Sequence, residues 1–112
     1  MGNIVIKNKK DLIEMKKACV LASRTLYETS KLIEPGITTE QINRFVHEYT
    51  LQHKAKPAPL GYRGYPKSVC TSVNEEVIHG IPTKRPLETG DVVSLDLGVD
   101  LDGFISDSAA TF

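Results

Sequence analysis

The sequence predicts an α+β domain in which two helices pack on an antiparallel sheet, and three observations carry that reading. Apolar residues recur at helical spacing through residues 8–34, a capping signature opens a second helix at Thr38, and alternation around an Asp-Gly turn fills residues 92–112.

The first helix has Asn8 as its cap and a stripe of Leu12, Met15, Cys19, Ala22, Leu26 and Ile33, which reads as core. "EPG" at 34–36 ends it. The second helix has the sharper start, because Thr38 as N-cap, Gln41 three residues on, and Ile37 facing Ile42 form a capping box with a hydrophobic staple. Ile42, Phe45, Val46 and Tyr49 make its buried stripe, with Glu40, Arg44 and Glu48 in water. His47 and His53 have no ligand partner at a telling spacing and read as surface residues. "PAPLGYRGYP" at 57–66 reads as an ordered loop or strand edge. Strands follow at 68–73 and 76–81 with a turn at Asn74, and the loop "PTKRPLETGD" leads into the final hairpin.

Composition narrows the setting. At 112 residues with 40% hydrophobic and 25% charged, the chain fits one soluble domain or part of one. Fourteen basic against fourteen acidic residues leave no overall field to recruit nucleic acid or an anionic membrane. Cys19 and Cys70 lie far apart behind no secretory signal, so both are expected as free thiols in a cytoplasmic protein. No apolar run approaches the roughly 18 residues of a membrane span. Gly2 is followed by Ile6 where a myristoylation signal needs Ser or Thr.

The hairpin carries the chemistry. Val93, Leu95, Leu97 and Val99 alternate with Ser94, Asp96 and Gly98, and "DG" at 102–103 turns the chain back through Phe104 to Asp107. With an even loop Asp96 and Asp107 share a face, directly opposite or one diagonal step apart, their Cβ atoms about 4.5 to 8 Å apart. Carboxylates that close repel unless a proton or a cation lies between them, and small Ser, Gly, Ala and Thr neighbours leave room for an ion. The plainer alternative is a solvated acidic face. Two acids alone fall short of the ligand number a divalent ion takes, and His79 by itself reads as structural more readily than as a ligand.

Taken together, "GYRGYPKSVCTSVNEEVIHGIP" (61–82), "LETGDVVSLDLG" (87–98) and "DGFISDSAATF" (102–112) resemble the type I methionine aminopeptidases along nearly the whole chain. Proline-specific aminopeptidases of the same fold share the paired acids but are not expected to share "GYPKSVC" or "HGIP". The resemblance implies a pita-bread fold, two pseudo-symmetric α+β halves around two divalent metal ions drawn from cobalt, manganese, iron or zinc. Asp96 and Asp107 match the first two metal ligands, and His79 matches a histidine that contacts substrate and stabilises the transition state. Tyr62, Tyr65 and Cys70 match the lining of the methionine pocket, although from the residues alone the tyrosines read as loop packing and Cys70 as core.

The implied activity is metal-dependent hydrolysis that removes the initiator methionine from nascent polypeptide N-termini at the ribosome, without nucleic-acid or membrane contact. Pro59 and Arg63 depart from the cysteine and histidine many relatives carry at the pocket. The family's remaining ligands, one His and two Glu, belong to a C-terminal half, so residues 1–112 are expected as a single incomplete domain, inactive alone. The rival reading is a non-catalytic interaction module that retains the half-fold.

Overall fold

The computed structural model describes residues 3–112; Gly2, weighed above as a lipidation site, lies outside them. Helix α1 spans Lys9–Ser30, α2 Thr39–Gln52, and four strands follow: β1 Lys56–Pro57, β2 Cys70–Val73, β3 Val93–Leu101 and β4 Phe104–Thr111. The expected α+β layering of two helices on one antiparallel sheet is what forms. No helix among the described residues is long and apolar enough to cross a membrane.

Asn8 caps α1 through a reciprocal box with Asp11, whose side chain accepts from the Asn8 amide. The helix stops at Ser30, short of the residue-34 end expected from sequence, since Leu32 and Ile33 prolong the apolar pattern through a turn. Its buried face also differs. Ala18, Leu21, Ala22, Thr25 and Thr29 face the sheet, while Leu12 and Cys19 are exposed. Two of the buried positions are threonines, which hide their polarity by donating to carbonyls one turn back, Thr25 to Leu21 (2.7 Å) and Thr29 to Thr25 (2.6 Å). A stripe drawn from apolar residues alone is therefore rotated.

Helix α2 begins at the expected residue, with the Thr38–Gln41 box formed and Ile37 packed at the core that holds Ile42. Its first-turn amides find further acceptors across the chain: Thr39 donates to the Arg85 carbonyl and Glu40 to that of Thr83. Val46 and Thr50 are buried below Ile42, with Phe45 and Tyr49 half-covered. His47 is not the free surface residue expected, because its Nδ1 lies 2.9 Å from the Ser68 hydroxyl and is partly buried there. The Asn43 amide oxygen accepts from the Ser68 amide (2.7 Å), so α2 fixes the start of β2.

Strand β3 is central: one edge pairs with β1 and β2 end to end, and the other with β4 along its length. Val93, Leu95, Leu97 and Val99 point to the helices and are essentially inaccessible. Ser106 of β4 is buried on that side too, its hydroxyl donating to the Ala18 carbonyl of α1 (2.8 Å). The opposite sheet face carries Cys70, Asp96, Gly98 and Asp107, since partners across a ladder share a side.

Residues 76–81 do not form the strand expected of them. His79 adopts a left-handed backbone (φ 58°) and Val77 and Ile78 are 84% and 67% exposed, so the β-branched run packs against nothing that could hold it extended.

Candidate active site

The Asp102–Gly103 turn has positive φ at both residues, 52° and 86°, the type I′ geometry that matches the strand twist. Leu101 pairs with Phe104, and the register then sets Gly98 opposite Asp107 and Ala109 opposite Asp96. The two acids thus stand one diagonal step apart on the same face, the second of the two arrangements the alternation allowed. Gly98 leaves the space beside Asp107 open; a Cβ there would lie 2.8 Å from the Ser106 carbonyl oxygen.

These acids floor a cleft of about 750 Å³. Tyr62, Tyr65, Cys70 and His79 line it as well, so every residue singled out from the sequence as a candidate meets in one place. Pro59 and Arg63, the two departures at the pocket, also lie on its wall.

Tyr65 and His79 are positioned through Gly80. The Tyr65 hydroxyl faces the carbonyls of Val69 (2.9 Å) and Gly80 (3.1 Å), tying the tyrosine loop to both sides of the cleft. Thr71 donates to the Gly80 carbonyl (2.8 Å), and Gly80 donates to the Ser72 hydroxyl (3.1 Å). The backbones approach so closely that a Cβ on Gly80 would sit 2.2 Å from the Thr71 oxygen. The loop is clamped at one residue, with His79 immediately before the clamp. Sequence reasoning named His79 but missed Gly80, whose only signal was its place inside "HGIP".

Burial raises the Asp96 carboxyl, and the adjoining Asp107 carboxyl adds to it by sharing a proton and by charge; together they push it up to about 6 against a smaller opposing pull from His79. Burial likewise raises the Cys70 thiol and the Tyr65 phenol, so both are neutral at physiological pH. The donor set suits a hard divalent ion in kind, two carboxylates in mutual conflict, and falls short in number. Among the described residues no three His, Cys, Asp or Glu side chains converge as a metal site.

The family model of metallopeptidase family M24 matches residues 13–112. Methionine aminopeptidase 1C of Arabidopsis thaliana is 50% identical over 111 residues, 99% of this chain and 32% of that protein. The methionine aminopeptidase of Borreliella burgdorferi is 46% identical over the whole chain, which covers 45% of it. In three dimensions the crystal structure of the Rickettsia prowazekii methionine aminopeptidase superposes with a TM-score of 0.96 at 43% identity, over 98% of this chain and 44% of that one. A Xaa-Pro dipeptidase from Bacillus anthracis shares the fold at 21% identity, with a TM-score of 0.81. The chain spans less than half the length of these relatives. Its two helices on an antiparallel sheet are the architecture of the pita-bread metallopeptidases, and the chain belongs to metallopeptidase family M24.

Proposed function

We propose that this chain supplies the metal-binding and methionine-binding face of an aminopeptidase that removes the initiator methionine from new proteins in the cytoplasm. The observation that carries the reading is the diagonal pair Asp96 and Asp107 on the floor of a cleft walled by Tyr62, Tyr65, Cys70 and His79. Its substrates are nascent polypeptide N-termini at the ribosome, met without nucleic-acid or membrane contact.

Divalent ions, two in a complete site and drawn from cobalt, manganese, iron or zinc, supply Lewis acidity and make water a competent nucleophile at neutral pH. Asp96 and Asp107 would hold the ions and supply compensating negative charge, and a cation between them would relieve the conflict that raises the Asp96 carboxyl to about 6. Tyr62, Tyr65 and the neutral Cys70 offer an aromatic and sulfur wall suited to a flexible, polarizable methionine side chain. His79, set by the Gly80 clamp, donates a hydrogen bond to the oxygen on which charge develops.

Calorimetric titration of the 112-residue chain with Mn²⁺ tests the metal half of the reading. With two acids, affinity is expected to be weak, and Asp96→Asn and Asp107→Asn should each abolish it. Unchanged affinity in both variants would sink the shared site. Turnover of a Met-Ala peptide is expected only from a protein carrying the remainder of the relatives' length, and loss of that turnover in Asp96→Ala separates an enzyme from an interaction module.

A further inference from the structure

The cleft wall carries one feature that metal binding and methionine recognition leave unused. Arg63 is the single Lys or Arg among the residues lining the cleft. It sits in the short 3₁₀ turn Tyr62–Gly64 with a left-handed backbone (φ 48°, ψ 36°), a conformation uncommon outside Gly, Asn and Asp. The turn is tightly held: Tyr65 donates to the Tyr62 carbonyl (2.9 Å), Gly61 to that of Tyr65 (2.8 Å), and Gly64 to that of Gly61 (3.3 Å). The Arg63 guanidinium lies 5.4 Å from the Tyr62 ring centre, and among the described residues it takes part in no salt bridge. Among the described residues four ion pairs form and none uses Arg63, and of the Lys and Arg residues it alone lines the cleft, its guanidinium beside the Tyr62 ring and free of any acid.

We infer that Arg63 is a specificity-determining residue that reads an acidic side chain on the third residue of the peptide substrate. The inference rests on the methionine reading above and adds a position to it. In an extended peptide, side chains one and three point to the same side. If the first enters the pocket of Tyr62 and Tyr65, the third lies about 7 Å along the same side of the peptide, a distance the long Arg63 side chain on that cleft wall can span. A guanidinium presents a planar fork of donors that a carboxylate meets with two parallel hydrogen bonds, and stacking on Tyr62 keeps the fork oriented without consuming its donors.

The test is competitive binding of Met-Ala-Asp-Ala, Met-Ala-Asn-Ala and Met-Ala-Lys-Ala to the 112-residue chain, followed by calorimetry and by NMR shifts of the 61–65 amides. The aspartyl peptide should bind about three- to fivefold more tightly than the asparaginyl one, the range of a solvent-exposed ion pair, and the lysyl peptide most weakly. Arg63→Asn keeps a residue that accepts the left-handed backbone and should erase the order. Arg63→Glu should invert it. Arg24→Ala removes a positive charge from the exposed face of α1, outside the cleft lining, and should leave it unchanged. Equal binding of the three peptides by the native chain, or an order that survives Arg63→Asn, overturns the inference and leaves the methionine reading intact. Failure of every methionyl peptide to bind overturns that reading and this inference together.

Discussion

Asp96 stands where two demands conflict, since the sheet face half-buries it and Asp107 lies one diagonal step away. A carboxyl whose folded pKa is raised favours folding fully below its unfolded value of about 4. That contribution is lost as pH rises through about 6. The metal-free chain should therefore lose stability from this group between those pH values. Asp91 acts in the opposite sense: hydrogen bonds from the Asn74 side chain and the Glu88 amide, aided by Arg85, lower its pKa, so its contribution appears above pH about 4 and fades in acid. Melting temperature against pH for the native chain and Asp96→Asn isolates the first effect. The variant should gain relative to the native chain as pH rises from 4 to 7, and parallel curves would show that the acid pair carries no strain. His79 is the other residue whose role is separable. In a protein carrying the remainder of the relatives' length, His79→Ala should lower kcat by roughly 10² with KM little changed, as for a lost oxyanion donor; a rise in KM alone would assign it to substrate binding.

The elements show which local rules could be read in advance. The start of α2 was legible to within a residue or two because its box is written in two side chains, Thr38 and Gln41, and Thr38→Ala should cost about 1 kcal/mol in chemical denaturation. The acidic hairpin was legible in its turn and in the shared face of its acids, while the register, left as directly opposite or diagonal, came only from the pairing of Leu101 with Phe104. Two elements were not. The phase of α1 depends on threonines that satisfy themselves within the helix, a fact of geometry that composition does not carry. The segment 76–81 has the β-branched content of a strand, but its course is set by contact between Gly80 and Thr71, residues nine apart in sequence. Gly80→Ala tests that contact directly. Backbone lies where the methyl would go, so the loop must lift from β2, and the variant should lose a cleft contact by NMR at His79 and Tyr65 along with stability. Normal spectra at both residues would show that the clamp is dispensable.

Across the whole molecule the sheet has two unlike faces, one sealed by the helices and one left open with the acids, Ile105 and the exposed residues 76–79. Among the described residues the outer edge of β4 pairs with no strand, and its sequence from Phe104 to Thr111 contains no Pro or Lys to blunt it. The isolated chain should accordingly self-associate as its concentration rises, by light scattering, and Ile105→Lys should reduce this; a monomer at all concentrations would mean that the open face is adequately solvated. The hydroxyl of Ser106 on the Ala18 carbonyl joins the centre of α1 to the strand position next to Asp107. Expressed as kinetics, that bond divides the molecule into a slow part and a fast part. Freeing the acidic hairpin requires peeling β4 from α1, so amides of β3 from Leu95 to Val99 should exchange with solvent in step with those of Ala18 to Ala22, while amides of residues 75–79 exchange far sooner. The carboxylates would then form a fixed anvil, with the motion that admits and releases a ligand confined to the loop side of the cleft.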